Sequence, residues 1–293
     1  MSVTLQNGLL RRKKIIVGEF NILAPTLNIL VVNLMPNRLQ TEKQFVAHLA
    51  SQRINIRLTF AVPTAHKVKH ESNLIKGHYV TLDDIWQEYF DGLIVTGAPV
   101  DQVPFESIDY WSEFQKLLFW RQSHVSESLF TCWAAYGAGY VEKNFPVESV
   151  AHKIFGVYQA SVASDNQHPE LVQNIDQLIM PHSRYFTIPD DNVSKNLRIA
   201  GNNQVGTVLL RDASRHSTYT TGHLEYDTNT LQTEYYRDIQ QGVLPQKPEN
   251  YDSFGQPNNT WHVSAQSFFG NWTKLLLMQK HLPETVDYIT ALG

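Results

Sequence analysis

The sequence predicts an α/β protein built on a mostly parallel sheet flanked by helices. Two observations carry this. Short runs rich in β-branched and aromatic residues alternate with amphipathic segments along most of the chain, the order that crossover helices impose on a parallel sheet. The clearest run, LNILVVNL at Leu27 to Leu34, is almost continuously apolar. Such a run suits a strand covered on both faces.

The remaining elements follow from local pattern. Residues 38 to 51 set Leu39, Phe45, Leu49 and Ala50 near helical spacing, with Thr41 to Gln44 supplying polar turns. A strand is expected over Ile54 to Ala61, then a variable polar stretch to about Tyr79, then a strand from Gly92 to Thr96 that stops at Gly97. Tyr110 to Val125 reads as a helix with Phe114, Leu117, Leu118 and Trp120 on its apolar side, and Ser128 to Thr131 as a strand running into Cys132. From Lys153 to about Gly222 the character turns β-rich, with IFGVYQASV and TVLLRD separated by loops. A helix over Thr228 to Gln241 and another near Ser264 to His281 bracket residues 243 to 260. That stretch is rich in Pro, Asn, Asp and Gly and reads as an ordered loop or lid. With neither an internal repeat nor a low-complexity linker, residues 1–293 are expected to form a single domain.

Composition narrows the function. Hydrophobic residues at 42% against 18% charged supply a core. A net charge of −4 argues against nucleic acid as a partner, because phosphate binding needs concentrated Lys and Arg. The one basic run, Arg11 to Lys14, reads as a solvated terminus ahead of the first strand. The apolar stretches fall short of the ~20 residues of a membrane span, and the start of the chain lacks a secretory pattern. A cytoplasmic location without membrane association is the expectation. A lone cysteine makes no intramolecular disulfide and no Cys-based metal centre. His66 and His70 have i,i+4 spacing but no carboxylate between them, so they read as an exposed polar stretch and no metal is expected.

Three motifs carry chemistry. LFTCWAAYGAGY puts Cys132 after an apolar strand and before Ala134, Ala135, Gly137, Ala138 and Gly139, a strand, sharp turn and helix that exposes a nucleophile to helix N-terminal amides. Such amides favour the thiolate. TTGHLEYD sets His223 two residues from Glu225; in extended backbone the pair shares a face, so the carboxylate can orient the ring while its other nitrogen meets the thiol. In VTGAPVD, Gly97 and Ala98 end a buried strand and can present N–H groups to an oxyanion, together with the amide of Trp133. Taken singly, each has a plain structural reading: a small core cysteine, a surface His beside an unrelated Glu, an ordinary turn.

At these residues the chain resembles the homoserine O-acyltransferase family of methionine biosynthesis, whose fold is class I glutamine-amidotransferase-like, a flavodoxin-like sheet. The matching stretches are NLMPNRLQTEKQF (33 to 45), FDGLIVTGAP (90 to 99), LFTCWAAYGAG (129 to 139), GVY (156 to 158), PHSRY (181 to 185) and TGHLEYDTNTL (221 to 231). The resemblance implies an O-acyltransferase with no bound cofactor and acyl-CoA as co-substrate. In it Cys132 is the acyl-thioester nucleophile, His223 the proton acceptor, Glu225 its supporting carboxylate, and Lys153, Ser183 and Arg237 bind substrate. Arg237 suits an α-carboxylate, which a guanidinium pairs bidentately. The implied mechanism is ping-pong.

The chain departs from the family pattern at four places. Arg38 replaces the lysine usual in the NLMP motif, Leu224 replaces the proline of HPEYD, and residues 1–26 form a divergent N-terminal segment. The residue after GAPV separates acyl donors in the family, glycine accompanying succinyl and glutamate acetyl; here it is Asp101. A carboxylate there repels the free carboxylate of succinyl-CoA, which favours acetyl-CoA, with succinyl-CoA as the alternative donor. The acceptor hydroxyl is that of homoserine or serine, in methionine or cysteine synthesis, and one methylene does not separate them here. A glutamine amidotransferase of the same fold fits the bulk of Trp133 poorly, and a non-catalytic binding module would be expected to lose one of Cys132, His223 and Glu225. A homodimer is the default assembly.

Overall fold

The computed structural model describes residues 3–12, 24–52, 54–66, 75–253 and 255–280. The first strand lies earlier than the sequence suggests: β1 (Val3–Leu5) precedes the basic run and pairs in parallel with the edge of the sheet. A short helix α1 (Leu9–Arg12) follows, with Arg11 exposed; Lys13 and Lys14 lie outside the described residues. The start of this helix is held by Glu42, whose two carboxylate oxygens accept the N–H groups of Leu9 and Leu10.

Strand β2 (Thr26–Val32) follows, then helix α2 (Arg38–Ala50), started by Asn37, whose side chain accepts the N–H of Gln40. Next come β3 (Asn55–Val62), the two-residue β4 (Val80–Thr81) and β5 (Phe90–Val95). Helix α3 (Trp111–His124) passes without a linker into β6 (Val125–Thr131), so the strand begins three residues before the Ser128 expected from its apolar run. The reason is Glu127: it is fully buried because Arg211 reaches it from a strand far along the chain. A local reading sees only a polar residue. Helix α4 (Trp133–Glu142) starts immediately after Cys132.

The β-rich stretch resolves into β7 (Glu148–Val162), β8 (Gln177–Thr187), β9 (Arg198–Asn202), β10 (Gly206–Asp212) and β11 (Ser217–Thr220). Helix α5 (Thr230–Gln240), a two-residue pair β12 (Asp252–Ser253) and β13 (Gln256–Pro257), and helix α6 (His262–Lys280) complete the described chain. The main sheet has the order β1-β3-β2-β5-β6-β11-β10-β9-β7-β8, with β4 beside β3. Pairing is parallel from β1 to β11 and antiparallel from β11 to β8.

Strand β2 shows why the apolar run is continuous. Leu27, Ile29 and Val31 face a core built with Phe45 and Leu49 of α2 and Phe268, Phe269 and Trp272 of α6. Leu30 and Val32 face the opposite core, with Phe114, Leu117 and Leu118 of α3 and Ala134, Ala135 and Ala138 of α4. Each fully buried Val, Leu, Ile or Phe side chain contributes roughly 1.5–3 kcal/mol. The small residues after Cys132 let α4 pack closely: a Cβ on Gly137 would sit 3.0 Å from the Phe114 ring, and one on Gly139 would meet Phe145. Among the described residues, no helix is long and apolar enough to cross a membrane.

The 243 to 260 stretch lies against β7 rather than hanging free. Val157 N–H donates to Glu249 O at 2.8 Å, and Glu249 N–H donates to Phe155 O at 2.9 Å. Gly156 makes this approach feasible: its φ is +150°, and a Cβ there would fall 2.4 Å from the Glu249 carbonyl oxygen.

Candidate active site

Strands β5, β6 and β11 are neighbours, and their C-terminal ends bring Gly97, Cys132 and His223 together. In a parallel sheet this edge is where ligands meet loop residues. Cys132 turns the chain from β6 into α4 with φ 51° and ψ −115°, a left-handed conformation that costs a non-glycine residue about 1–3 kcal/mol. Its N–H donates to Thr220 O of β11 at 2.7 Å, which ties the turn to the sheet. The thiol is nearly buried, at 4% exposure.

The sequence reading set His223 and Glu225 on one face of an extended segment. The structure pairs them in a different way. Strand β11 stops at Thr220, and the chain turns sharply at Gly222, where a Cβ would lie 2.4 Å from Pro181 O. His223 N–H then donates to that same carbonyl at 2.8 Å, and the following turn folds Glu225 back so that its Oε1 lies 2.7 Å from His223 Nδ1. The turn does what the strand was expected to do. Both residues are buried. Burial opposes charging of the imidazole, but the neighbouring Cys132 and Glu225 outweigh it and hold His223 well above the ordinary histidine range.

Gly97 closes the group from the β5 side. A Cβ on it would lie 3.0 Å from His223 Cε1 and 3.3 Å from Cys132 Cβ, so a side chain there would crowd both. Trp133 is the first residue of α4, and its N–H belongs to the first-turn donors without an intrahelical acceptor. Its side chain points the other way, fully buried among Phe105, Tyr110, Trp111 and Phe114. The bulk of Trp133 therefore does not bear on what the site admits, contrary to the sequence argument about amidotransferases.

Cys132 and His223 face a cavity of about 480 Å³ that Ala98, Asp101, Lys153, Ser183 and Arg237 also line. Residues spread over almost 140 positions of sequence are thus brought to one wall. Asp101 is fixed by its Oδ2, which accepts the Tyr185 N–H at 2.5 Å; burial raises its carboxyl pKa, against the lowering effect of that bond and of Lys153 and His223. Lys153 Nζ donates to Asp238 Oδ2 at 2.8 Å, while Arg237 donates through Nε and Nη2 to Asp238 Oδ1 at 3.0 and 2.8 Å. Arg38 is not among the lining residues: it is buried at the start of α2, where its carbonyl accepts from Asn33. His66 pairs with exposed Asp109, and His70 lies outside the described residues.

The family model described as homoserine O-succinyltransferase matches residues 21–282. The chain belongs to that family. A protein of Leuconostoc mesenteroides subsp. mesenteroides named homoserine O-acetyltransferase is 54% identical over 94% of this chain and 90% of its own length. Proteins of the same name from Lactococcus lactis subsp. lactis and Streptococcus gordonii are 37% and 36% identical, over 86% and 87% of this chain and 81% and 83% of theirs. Among solved structures, glutamine amidotransferases of Thermotoga maritima and Methylobacillus flagellatus superpose with TM-scores of 0.57 and 0.56. They cover 85% of this chain and 98% and 94% of their own, at 11% and 12% identity, which shows a shared class I glutamine-amidotransferase-like fold and nothing of activity. Family membership makes the chain an O-acyltransferase.

Several residues in and around this cavity escaped the sequence reading. Glu234 and Asp238 line the cavity beside Arg237. Glu234 lies three residues before Arg237 on α5, an i,i+3 spacing that puts acid and base on one helical face and was the available signal. Tyr226, within the quoted HLEYD, also lines the cavity and stacks on His223. Beneath the site, fully buried Arg184 donates to His182 Nδ1 and to the carbonyls of Phe186 and Val205. Burial pushes the Arg184 pKa down to about 10, opposed by Cys132, Tyr158 and Asp101.

Proposed function

We propose that the chain moves an acetyl group from acetyl-CoA to the side-chain hydroxyl of L-homoserine, a step of methionine synthesis, through a thioester on Cys132. The observation that carries the reading is His223, held by Glu225 on one nitrogen and facing Cys132 at the floor of the cavity. With Nδ1 bonded to the carboxylate, Nε2 is the nitrogen available to exchange a proton with the thiol.

The thiolate of Cys132 attacks the thioester carbonyl of acetyl-CoA; the carbonyl oxygen becomes an oxyanion, and the N–H groups of Trp133 and of the Gly97–Ala98 turn are the donors available to it. Collapse breaks the bond to CoA sulfur, which leaves with the proton from His223. Homoserine then enters, its hydroxyl gives its proton to His223, and its oxygen attacks the acetyl-cysteine, releasing O-acetylhomoserine and restoring the thiolate. Two easier transfers replace one hard one.

The cavity supports an amino-acid acceptor. Arg237 presents a guanidinium to an α-carboxylate. Glu234, 7% exposed, leaves its Oε2 without a hydrogen-bond partner among the described residues, and an α-ammonium group would satisfy it. Lys153 and Ser183 complete the polar wall. Two features support acetyl over succinyl: the name carried by relatives of up to 54% identity, and Asp101, pinned to Tyr185 in the cavity, where a succinyl carboxylate would approach it.

The test is CoA release by purified protein, crossing acetyl-CoA and succinyl-CoA with L-homoserine and L-serine. Acetyl-CoA with homoserine is expected to give the highest kcat/KM, and Asp101→Gly to raise succinyl-CoA use by about tenfold or more. Preference of the unaltered protein for succinyl-CoA would overturn the donor assignment.

A further inference from the structure

Tyr226 joins two groups that the proposed reaction uses for different purposes. Its ring lies parallel to the His223 imidazole, with centroids 4.1 Å and planes 15° apart. Its hydroxyl donates to Glu234 Oε1 at 2.7 Å. The backbone is fixed as well: the Tyr226 carbonyl accepts from Trp261 Nε1 at 2.9 Å, and its N–H donates to His223 O at 3.3 Å. At 3% exposure the side chain has no other place to go.

The other oxygen of Glu234, a residue that lines the cavity, is buried and without a hydrogen-bond partner among the described residues. When an ammonium group occupies it, the carboxylate is held from both sides, and the phenol hydroxyl is held with it. The ring of a phenol fixed at its oxygen cannot tilt freely. The imidazole stacked on that ring is then confined to one plane, with Nδ1 on Glu225 and the other nitrogen left for Cys132. Such confinement matters most when His223 must take a proton from a hydroxyl that arrives with the ammonium group.

We infer that Tyr226 is a positioning residue that couples binding of the acceptor's ammonium group at Glu234 to the orientation of the His223 base. The inference rests on the reading of this cavity as the acceptor site of a Cys132 acyl-enzyme. It makes the two half-reactions unequal in their need for the tyrosine hydroxyl. Formation of the acyl-enzyme occurs with no amino acid present, so it gains nothing from the coupling. Transfer to the acceptor gains all of it.

The test separates the halves in Tyr226→Phe, which keeps the ring and removes the hydroxyl. Mixing with acetyl-CoA alone gives the burst of CoA that reports acyl-enzyme formation, and steady-state turnover gives kcat/KM for L-homoserine. The expected result is a burst rate within about twofold of the unaltered protein and an acceptor kcat/KM lower by about tenfold, the size of one hydrogen bond to a charged group. Glu234→Gln and the double variant complete a cycle, in which the two defects should be less than additive. An unchanged acceptor kcat/KM in Tyr226→Phe, equal slowing of both halves, or fully additive defects would each overturn the coupling. Absence of a burst in the unaltered protein with either acetyl-CoA or succinyl-CoA would remove the acyl-enzyme reading and the inference with it. A normal burst with an acceptor-indifferent Tyr226→Phe would remove the coupling alone.

Discussion

Single residues set the charge state of this site by burial and contact. His223 and His182 are both fully buried, yet they move in opposite directions. His223 sits between Cys132 and Glu225 and is held protonated to higher pH; His182 is driven well below the ordinary range by burial, with the Arg184 and His223 charges adding to it. The His182 shift gives a stability prediction with a definite sign. Below the ordinary imidazole pKa of about 6.5, the unfolded chain binds a proton at His182 that the folded chain refuses, so its contribution is full above that pH and is lost as pH falls. Between roughly pH 6 and 5, unfolding free energy of the unaltered protein should fall more steeply than that of His182→Gln, by up to ~1.4 kcal/mol per pH unit. Chemical denaturation across that range checks it; parallel slopes would mean that His182 is protonated in the fold. The same scale divides what could be read from the sequence. Cys132, His223 and Glu225 were legible because each lies beside its own local signal, a strand end or a two-residue spacing. Glu234 and Tyr226 were not, because their meaning comes from each other and from His223 across the cavity.

At the scale of elements, the central parallel strands β2, β3, β5 and β6 were legible one by one, while the antiparallel half was legible only as β-rich pieces such as IFGVYQASV in β7 and TVLLRD in β10. An apolar run such as Leu27 to Leu34 declares a strand buried on both faces whatever its neighbours, and β2 fulfils it. Strands β7 to β10 depend on register between distant segments, including a bulge between Ser149 and Ile154, and no local pattern encodes that. The N-terminal strand β1 was missed for a related reason: three residues have no periodicity, and they are held by β3 and by Glu42 through the segment that follows. The 243 to 260 stretch was expected as an ordered loop or lid, and its contact with β7 at Glu249 needs a glycine at position 156. Gly156→Ala puts a Cβ into the Glu249 backbone at an unfavourable φ, so it should cost on the order of 2 kcal/mol of stability and open the loop to protease. Thermal unfolding together with limited proteolysis measures both. An unchanged melting temperature and cleavage pattern would show that the Glu249 contact is not held at Gly156.

For the whole molecule, the sheet acts as a frame that converts chain order into proximity. Cys132 and His223 lie 91 positions apart in sequence yet meet because β6 and β11 are adjacent and parallel, with Phe130 opposite Tyr219 and Thr131 opposite Thr220. The antiparallel strands then carry Lys153 and Ser183 to the same opening, and α5 closes it with Glu234, Arg237 and Asp238. The glutamine amidotransferases of the same fold show that this frame does not dictate one chemistry. On the proposed reading, the residues that line the cavity beside the thiol are what serve an amino acid and an acyl group. The central claim is that Cys132 itself carries the acyl group, and mass spectrometry of the protein after acetyl-CoA alone tests it most directly. The account predicts one acetyl group on the Cys132 peptide, discharged by L-homoserine and absent from a folded Cys132→Ser variant. Turnover with no adduct on Cys132, or normal turnover by Cys132→Ser, would contradict it.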